Sequence, residues 1–271
     1  MNRPTIVLTT DFGTDDIYLG VMKAIIYSMA PDANIIDLTH SIAPQNFKQA
    51  AFLLSVSVKY FPKNTIFLTI IDPGVGTARN MIAMKCKDYT FLSPDNGTLS
   101  YVLQHYTPDA IYSITEKEYF LDDISATFHG RDVFAPVAAH LANGLDISKL
   151  GERVSPLSLI TVPDAQCFLD AQNIWHGEIL HIDRFGNIVT SLKAETMDIN
   201  PYHFAKQELN WMFELGSIKI RYLSQTFADV NIGDYLAYVG SFGYIEIGKR
   251  DGNAAKELGI MTGQNIYGWK F

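Results

Sequence analysis

Cysteine is scarce: Cys86 and Cys167 are the two in 271 residues, with no CxxC and no Cys/His ligand spacing around either. That excludes a disulfide-stapled framework and offers no zinc-site signature. Long hydrophobic runs are missing as well. No stretch approaches the roughly 18 uninterrupted apolar residues of a membrane span, and the longest, such as 66–71, are strand-sized. Positive charge is in the minority, with Lys plus Arg at 21, Asp plus Glu at 29 and a net charge of -8. A protein that neutralises nucleic-acid phosphates needs the opposite balance, so neither a nucleic-acid nor a membrane partner is expected. There is no internal repeat and no low-complexity tract. The first ten residues lack the basic segment, long apolar core and cleavage site of a secretory signal, which makes a cytoplasmic protein the expectation.

What is present is the composition of a globule, with 48% hydrophobic residues and a mean hydropathy of +0.05. At roughly 150 residues per domain, the length supports about two domains with ample buried core. Through residue 145, short apolar runs alternate with helical patterns, the layout of strands and crossover helices in a mostly parallel sheet. Strands are predicted at 5–10, 35–38, 65–71, 81–86 and 89–93, and helices over 17–29, 46–59 and 132–143. Residues 145–172 hold scattered Pro, Ser and Asp with weak periodicity and read as a surface linker. Beyond Ile174 the chain alternates in strand fashion, with strands at 177–182, 188–192, 217–222, 235–239 and 244–247 joined by Gly, Asn and Asp turns. The expected fold class is an α/β domain with a mostly parallel sheet over 1–165, followed over 166–271 by a smaller antiparallel β domain, a barrel or sandwich.

In open parallel sheets ligands bind beyond the carboxyl ends of strands, so polar residues just after strands are the best site candidates. Three segments qualify. In Thr10-Asp11-Phe12-Gly13-Thr14-Asp15-Asp16, Asp15 and Asp16 stand where acids favour a helix start. Asp11 has no helix to cap at its position, and a carboxylate there suits the two hydroxyls of a ribose. In Asp72-Pro73-Gly74-Val75-Gly76-Thr77-Ala78-Arg79, two glycines and a proline let the loop fold tightly enough for its terminal acid and base to pair. Its Gly-x-Gly alone is weak evidence for phosphate binding, since a dinucleotide fingerprint needs a further glycine where Arg79 stands. The third segment is Thr127-Phe128-His129-Gly130-Arg131-Asp132, where His129 gains a role only if Asp72 and Arg79 lie beside it. His40 also follows a strand end but shows no evident partner in the sequence.

Taken together with Pro94-Asp95-Asn96-Gly97, Ile182-Asp183-Arg184-Phe185-Gly186-Asn187 and Ser241-Phe242-Gly243-Tyr244, these motifs resemble one family over nearly the full length. It is the S-adenosylmethionine hydroxide adenosyltransferases, also called adenosine-forming S-adenosylmethionine hydrolases, which are related to the fluorinase and chlorinase. The resemblance implies an N-terminal α/β domain, a C-terminal β-barrel, and a homotrimer with active sites between neighbouring subunits. It also implies hydrolysis of S-adenosylmethionine (SAM) to adenosine and methionine, with no cofactor and no metal. By position, Asp72, Arg79 and His129 resemble the family's catalytic set, and Asp11 resembles the residue that holds the ribose hydroxyls. Asp183 matches the position for the methionine amino group, Asn187 that for the adenine edge, and Phe185 and Phe227 those for the adenine faces. Ser241 matches a carboxylate contact, Phe242 is expected to act there through its main chain, and Ala254 is a further substrate-binding position. The halogenase branch differs: it has tyrosine in place of Asp72, serine in place of Gly130, and a long insertion where this chain runs directly from Lys85 to Ser93.

The expected step is in-line displacement at the ribose C5′, with water or hydroxide entering opposite the sulfonium. An ion-paired Asp72 would be a poor proton acceptor, so it is expected to orient Arg79 and the water, with the proton passing through His129 or to solvent. Three other readings compete. Asp11-x-Gly13-x-Asp15-Asp16 resembles part of the calcium signature of nucleoside hydrolases, although Thr9 stands where that signature has another aspartate. The others are a non-catalytic SAM-binding or sensing protein and a halide-transferring relative.

Overall fold

The computed structural model describes residues 3–200 and 210–271. The chain divides into two compact units, Met1–Val162 and Pro163–Phe271.

In the first unit, strands β1 (Thr5–Thr10), β2 (Asn34–Thr39), β3 (Thr65–Ile70), β4 (Met81–Cys86), β5 (Tyr89–Pro94) and β6 (Ala110–Ser113) form one sheet in the order β2-β1-β3-β5-β4-β6. β2, β1, β3 and β5 run parallel, and β4 is antiparallel to both β5 and β6. Helices α1 (Tyr18–Met29), α2 (Phe47–Ser57), α3 (Ser100–Leu103) and α4 (Ala135–Ala142) complete the unit. β1 and β3 are buried along their whole length, which is why they read as continuous apolar runs. Their side chains still alternate between two cores. Ile6, Leu8, Leu68 and Ile70 join Met22 and Ile26 of α1 and Val137 and Ala138 of α4, while Val7 and Phe67 join Leu54 of α2 on the other face.

The predicted helix over 132–143 begins differently. Residues Gly130–Phe134 form a π-helical turn, and α-helix starts at Ala135. Pro136 has no NH to give the Asp132 carbonyl, which accepts instead from Leu121 NH at 2.9 Å. Nor do Asp15 and Asp16 cap α1: its N-cap is Ile17, with no side-chain hydrogen bond, and no acid lies in its first turn. The stretch expected to be a surface linker is mostly exposed but is pinned at Leu150 and Val154. Leu150 is fully buried, its carbonyl accepts from Thr115 and Glu116 NH, and Val154 NH reaches Ile111.

In the second unit, β7 (Cys167–Leu169), β8 (Trp175–Ile182), β9 (Ile188–Lys193), β10 (Trp211–Leu215), β11 (Ile218–Arg221), β12 (Leu223–Ser224), β13 (Tyr235–Val239), β14 (Tyr244–Lys249) and β15 (Asn265–Lys270) accompany one short helix, α5 (Ala254–Leu258). The sheet runs β11-β10-β15-β8-β9-β14-β13-β12, with β7 added beside β8. Its pairs are antiparallel apart from β12 with β13. Both ends of that path feed a single core, Ile220 from β11 and Leu223 and Ala237 from β12 and β13, around Trp211, Phe213 and Ile245. That is the arrangement of a nearly closed barrel, the expected alternative to a sandwich. β10 and β15 were not foreseen from the sequence, although Trp211, Phe213 and Leu215 alternate inward with period two.

Candidate functional site

The first unit's strand order reverses between β1 and β3: the chain leaves β1 for β2 on one side and returns to β3 on the other. Parallel sheets bind ligands beyond the carboxyl ends of strands at such a reversal. Asp11 follows β1 and Asp72 follows β3, whose last residues, Thr10 and Ile70, are paired in register. A cavity of about 380 Å³ opens here, with Phe12, Tyr18, Asp72, Phe128, His129 and Arg131 among its lining residues.

The loop after β3 is folded by its own sequence. Val75 NH returns to Asp72 O, and Thr77 closes onto Gly74 O through both NH and hydroxyl. Asn96, from the Pro94–Gly97 motif, donates its side-chain amide to Ile71 O at 2.6 Å and so holds the end of β3 that carries Asp72. At Gly76, with φ of +77°, a Cβ would lie 2.3 Å from Ala126 O. Glycine therefore lets the Asp72 loop close against the segment leading to His129.

The result is a three-residue constellation. Arg79 Nε donates to Asp72 Oδ1 at 2.6 Å, and its Nη2 donates both to Asp72 Oδ2 and to His129 Nδ1, the latter at 3.1 Å. The Arg79 and Asp72 side chains are only 10% and 5% exposed, so this is a largely desolvated bidentate ion pair. Burial, and next the Arg79 charge, hold the His129 pKa below the ordinary histidine range, against opposing pulls from Asp72 and Asp132.

Arg79 has only donors to offer, so the Nδ1 it touches must be the lone-pair nitrogen of a neutral ring. The ring proton then sits on Nε2, which makes no hydrogen bond among the described residues. Of the two expected proton routes, through His129 or to solvent, this geometry favours solvent: the basic ring nitrogen is taken by a cation, and what remains is an N–H donor.

Around this core, buried Asp132 accepts from Arg131 Nη2 at 2.9 Å and from Ser125 NH at 2.8 Å. It thereby holds the loop leading to His129. Asp11 Oδ2 accepts from Gln45 NH at 3.0 Å, which leaves Oδ1 with no protein partner among the described residues. Asp15 and Asp16 are exposed. Among the described residues, no three His, Cys, Asp or Glu side chains are grouped so as to hold a metal ion.

The second unit gathers most of the remaining candidates at the ends of β8, β9, β13 and β14. Asp183 Oδ1 accepts from Phe185 NH and Asn187 NH, both at 2.8 Å, and its Oδ2 accepts from Asn187 Nδ2 at 2.9 Å. The carboxylate thus folds its own turn and orients the Asn187 amide with Oδ1 as the open acceptor. Phe185 is 75% exposed, whereas Phe227 packs on Tyr238 with ring centroids 5.1 Å apart. Ser241 and Phe242 sit at the tip of the β13–β14 hairpin. Ala254 is buried at the first position of α5.

Three residues absent from the sequence reading hold this group together. A Cβ on Gly248 would stand 2.9 Å from the Phe227 ring and 3.0 Å from Asn187 Oδ1, so glycine is what leaves room for both side chains. Glu246, 9% exposed, accepts from Tyr238 OH at 2.7 Å and tucks beneath Gly240, just before Ser241. Burial, opposed by the Tyr238 hydrogen bond and aided by the Asp183 charge, raises the Glu246 pKa. The sequence signal for it was a lone acid in the apolar run Tyr244-Ile245-Glu246-Ile247.

Two family models match the chain in order, the SAM hydroxide adenosyltransferase N-terminal domain over residues 6–151 and the corresponding C-terminal domain over 177–267. The (R)-S-adenosyl-L-methionine hydrolase of Thermus thermophilus is 34% identical, over 97% of this chain and 98% of its own length. A fluorinase of Actinopolyspora mzabensis is 24% identical, over 98% and 97%. The crystal structure of an uncharacterized conserved protein from Thermotoga maritima is similar with a TM-score of 0.88 and 34% identity, over 98% of this chain and 100% of that one.

Proposed function

Because the chain belongs to the SAM hydroxide adenosyltransferase family, we propose that it hydrolyses the (R)-sulfonium epimer of S-adenosyl-L-methionine to adenosine and L-methionine. The observation that carries this reading is the contact of one guanidinium, Arg79, with both Asp72 and His129 beside a cavity at the carboxyl end of the sheet.

The water oxygen attacks C5′ in line with the sulfonium. The C5′–S bond breaks with its electron pair passing to sulfur, methionine leaves as a neutral thioether, and the spare water proton goes to solvent. A neutral leaving group needs no general acid, and the sulfonium already activates the carbon, so the step is written without cofactor or metal. Arg79 and the Nε2–H of His129 supply positive potential and a donor to a nucleophile gaining hydroxide character, while Asp72 fixes the guanidinium plane. The entering oxygen and the sulfonium attract strongly once water is excluded, and their charges cancel in the transition state. Rate enhancement therefore comes mainly from holding them in line.

Asp11 takes the ribose hydroxyls through its open Oδ1, and Asn187 takes the adenine edge through its open Oδ1, between the faces of Phe185 and Phe227. Asp183 receives the methionine ammonium, Ser241 and the main chain of Phe242 its carboxylate, and Ala254 is a further substrate-binding position. Water rather than halide is favoured at Gly130, where halogenases carry serine: an added Cβ would already stand 3.3 Å from Met22 Sδ and from the Phe128 ring. The β4–β5 hairpin also turns through Lys87 and Asp88 alone. A homotrimer is the assembly that the family resemblance implies, and light scattering should give three times the 30.3 kDa chain mass; a monomer mass would reject it.

Mass spectrometry after incubation with each SAM epimer in ¹⁸O-water tests the reaction. Adenosine labelled at O5′, formed with methionine from the (R) epimer, is the expected result. Unchanged ligand that stays bound would instead make the protein a SAM sensor. Chloride-dependent chlorodeoxyadenosine would make it a halide transferase.

A further inference from the structure

His40, for which the sequence offered no partner, is 5% exposed and joins two parts of the turn that carries Asp11. Its ring Nδ1 stands 2.8 Å from Thr10 Oγ1, and its main-chain carbonyl accepts from Gly13 NH at 2.8 Å. Thr10 Oγ1 in turn accepts from Phe12 NH at 3.2 Å, so the hydroxyl proton is directed to the His40 ring. On the far side His40 Nε2 lies 3.0 Å from Asp37 Oδ1, and the other Asp37 oxygen accepts from Lys23 Nζ at 2.5 Å. Hydrogen bonds thus link Phe12 NH to Thr10 and Thr10 to the His40 ring, whose Nε2 lies within ion-pair distance of an Asp37 carboxylate compensated by Lys23. Five residues after His40, Gln45 NH binds Asp11 Oδ2 itself.

A hydroxyl, an imidazole and a carboxylate in sequence also describe a hydrolytic triad. Thr10 cannot serve as its nucleophile: it is fully buried, and its oxygen already accepts from Phe12 NH. The arrangement holds backbone in place. Thr10, Phe12 and Gly13 are restrained on either side of Asp11, whose free Oδ1 must meet a diol within a few tenths of an ångström to bind it bidentately.

We infer that His40 and Thr10 are positioning residues for SAM hydrolysis, acting through the placement of the Asp11 carboxylate; this rests on the reading of the site given above. The test is a double-mutant cycle, because a residue that acts through Asp11 has nothing left to act on once Asp11 is removed. Thr10→Val keeps the side-chain shape and deletes the hydroxyl, and should lower kcat/KM about tenfold with Asp11 present. In the Asp11→Ala background the same substitution should cost less than about twofold, and Thr10→Ser should restore the parent value. His40→Leu should repeat the pattern, with Thr10→Val deciding if His40→Leu fails to fold. Equal losses in both backgrounds, or no loss with Asp11 present, would overturn the inference. The cycle is read on SAM affinity by calorimetry as well as on turnover. If the unsubstituted protein binds SAM without forming adenosine, the hydrolase reading fails while the affinity cycle still decides the role of His40. If it does not bind SAM at all, both fall.

Discussion

His129→Ala is expected to lower kcat for SAM hydrolysis by about 10²–10³ with KM changed less than about threefold, the loss typical of removing one preorganised donor from a developing oxyanion. The reason lies in how Arg79 uses the ring. With Nδ1 accepting from the guanidinium, the only group His129 can offer the nucleophile is Nε2–H, and alanine offers none. Binding suffers little, because the substrate-holding roles fall to other residues. The same geometry sets the acid limb of the pH profile. Protonation must occur at Nδ1, against the Arg79 charge, and burial together with that charge holds the folded pKa below the ordinary 6.5. The neutral, active form therefore persists as pH falls past 6.5 and is lost only as pH falls through the lower folded value. Stability follows the same sign: the unfolded chain binds the proton more readily, so this contribution is present above 6.5 and disappears through the same lower window. An acid limb of kcat/KM below 6.5 that vanishes in His129→Ala is the expected signature. Normal turnover by His129→Ala would sink the mechanism.

Asp72→Asn should be at least as damaging, and to stability as well as rate. The Asp72 and Arg79 side chains are 5% and 10% exposed, so removing the carboxylate charge strands a guanidinium in a largely dry site. Breaking such a buried pair from one side costs roughly 3–5 kcal/mol, which for a chain of this size lowers Tm by roughly 10 °C. Turnover should fall by about 10² or more, since Arg79 is then free to leave both the nucleophile and His129. The double variant Asp72→Ala, Arg79→Ala separates the two effects. With both charges gone it should recover much of the lost Tm while staying inactive, because no isolated buried charge remains. A single variant with unchanged Tm and normal kcat would show that the pair neither stabilises the fold nor serves the reaction.

Much of the first unit was legible because its signals are local. β1 and β4 were predicted to the residue, since a fully buried parallel strand and a mostly buried antiparallel one both read as apolar runs bounded by turns. The helix start at Gly130 was misread because Pro136 suppresses a bond whose partner, the Asp132 carbonyl, is satisfied by Leu121, a residue outside the local pattern. The surface course of 145–172 was legible from its composition, and most of it is exposed; what local patterning did not show is that Leu150 is anchored in the core, its carbonyl bonded to Thr115 and Glu116 NH. In the second unit β10 and β15 escaped although their burial alternates with period two, because apolar Met212, Tyr267 and Trp269 stand on the less buried face and Gly268 on the buried one, which blurs the alternation in the sequence.

By itself, the sequence determined the order of elements, the division between a parallel and an antiparallel half, and the chemical types that stand after strands β1, β3 and β8. These follow from side-chain period and turn composition, which act over a few residues. Only the tertiary structure decided that Arg79 reaches His129 across fifty positions of sequence, that the ring proton lies on Nε2, that Gly248 leaves room for both Phe227 and Asn187, and that His40 is coupled to Thr10. Each of these contacts depends on which strands are neighbours in the sheet, and strand order is set by long-range burial that local patterning does not encode.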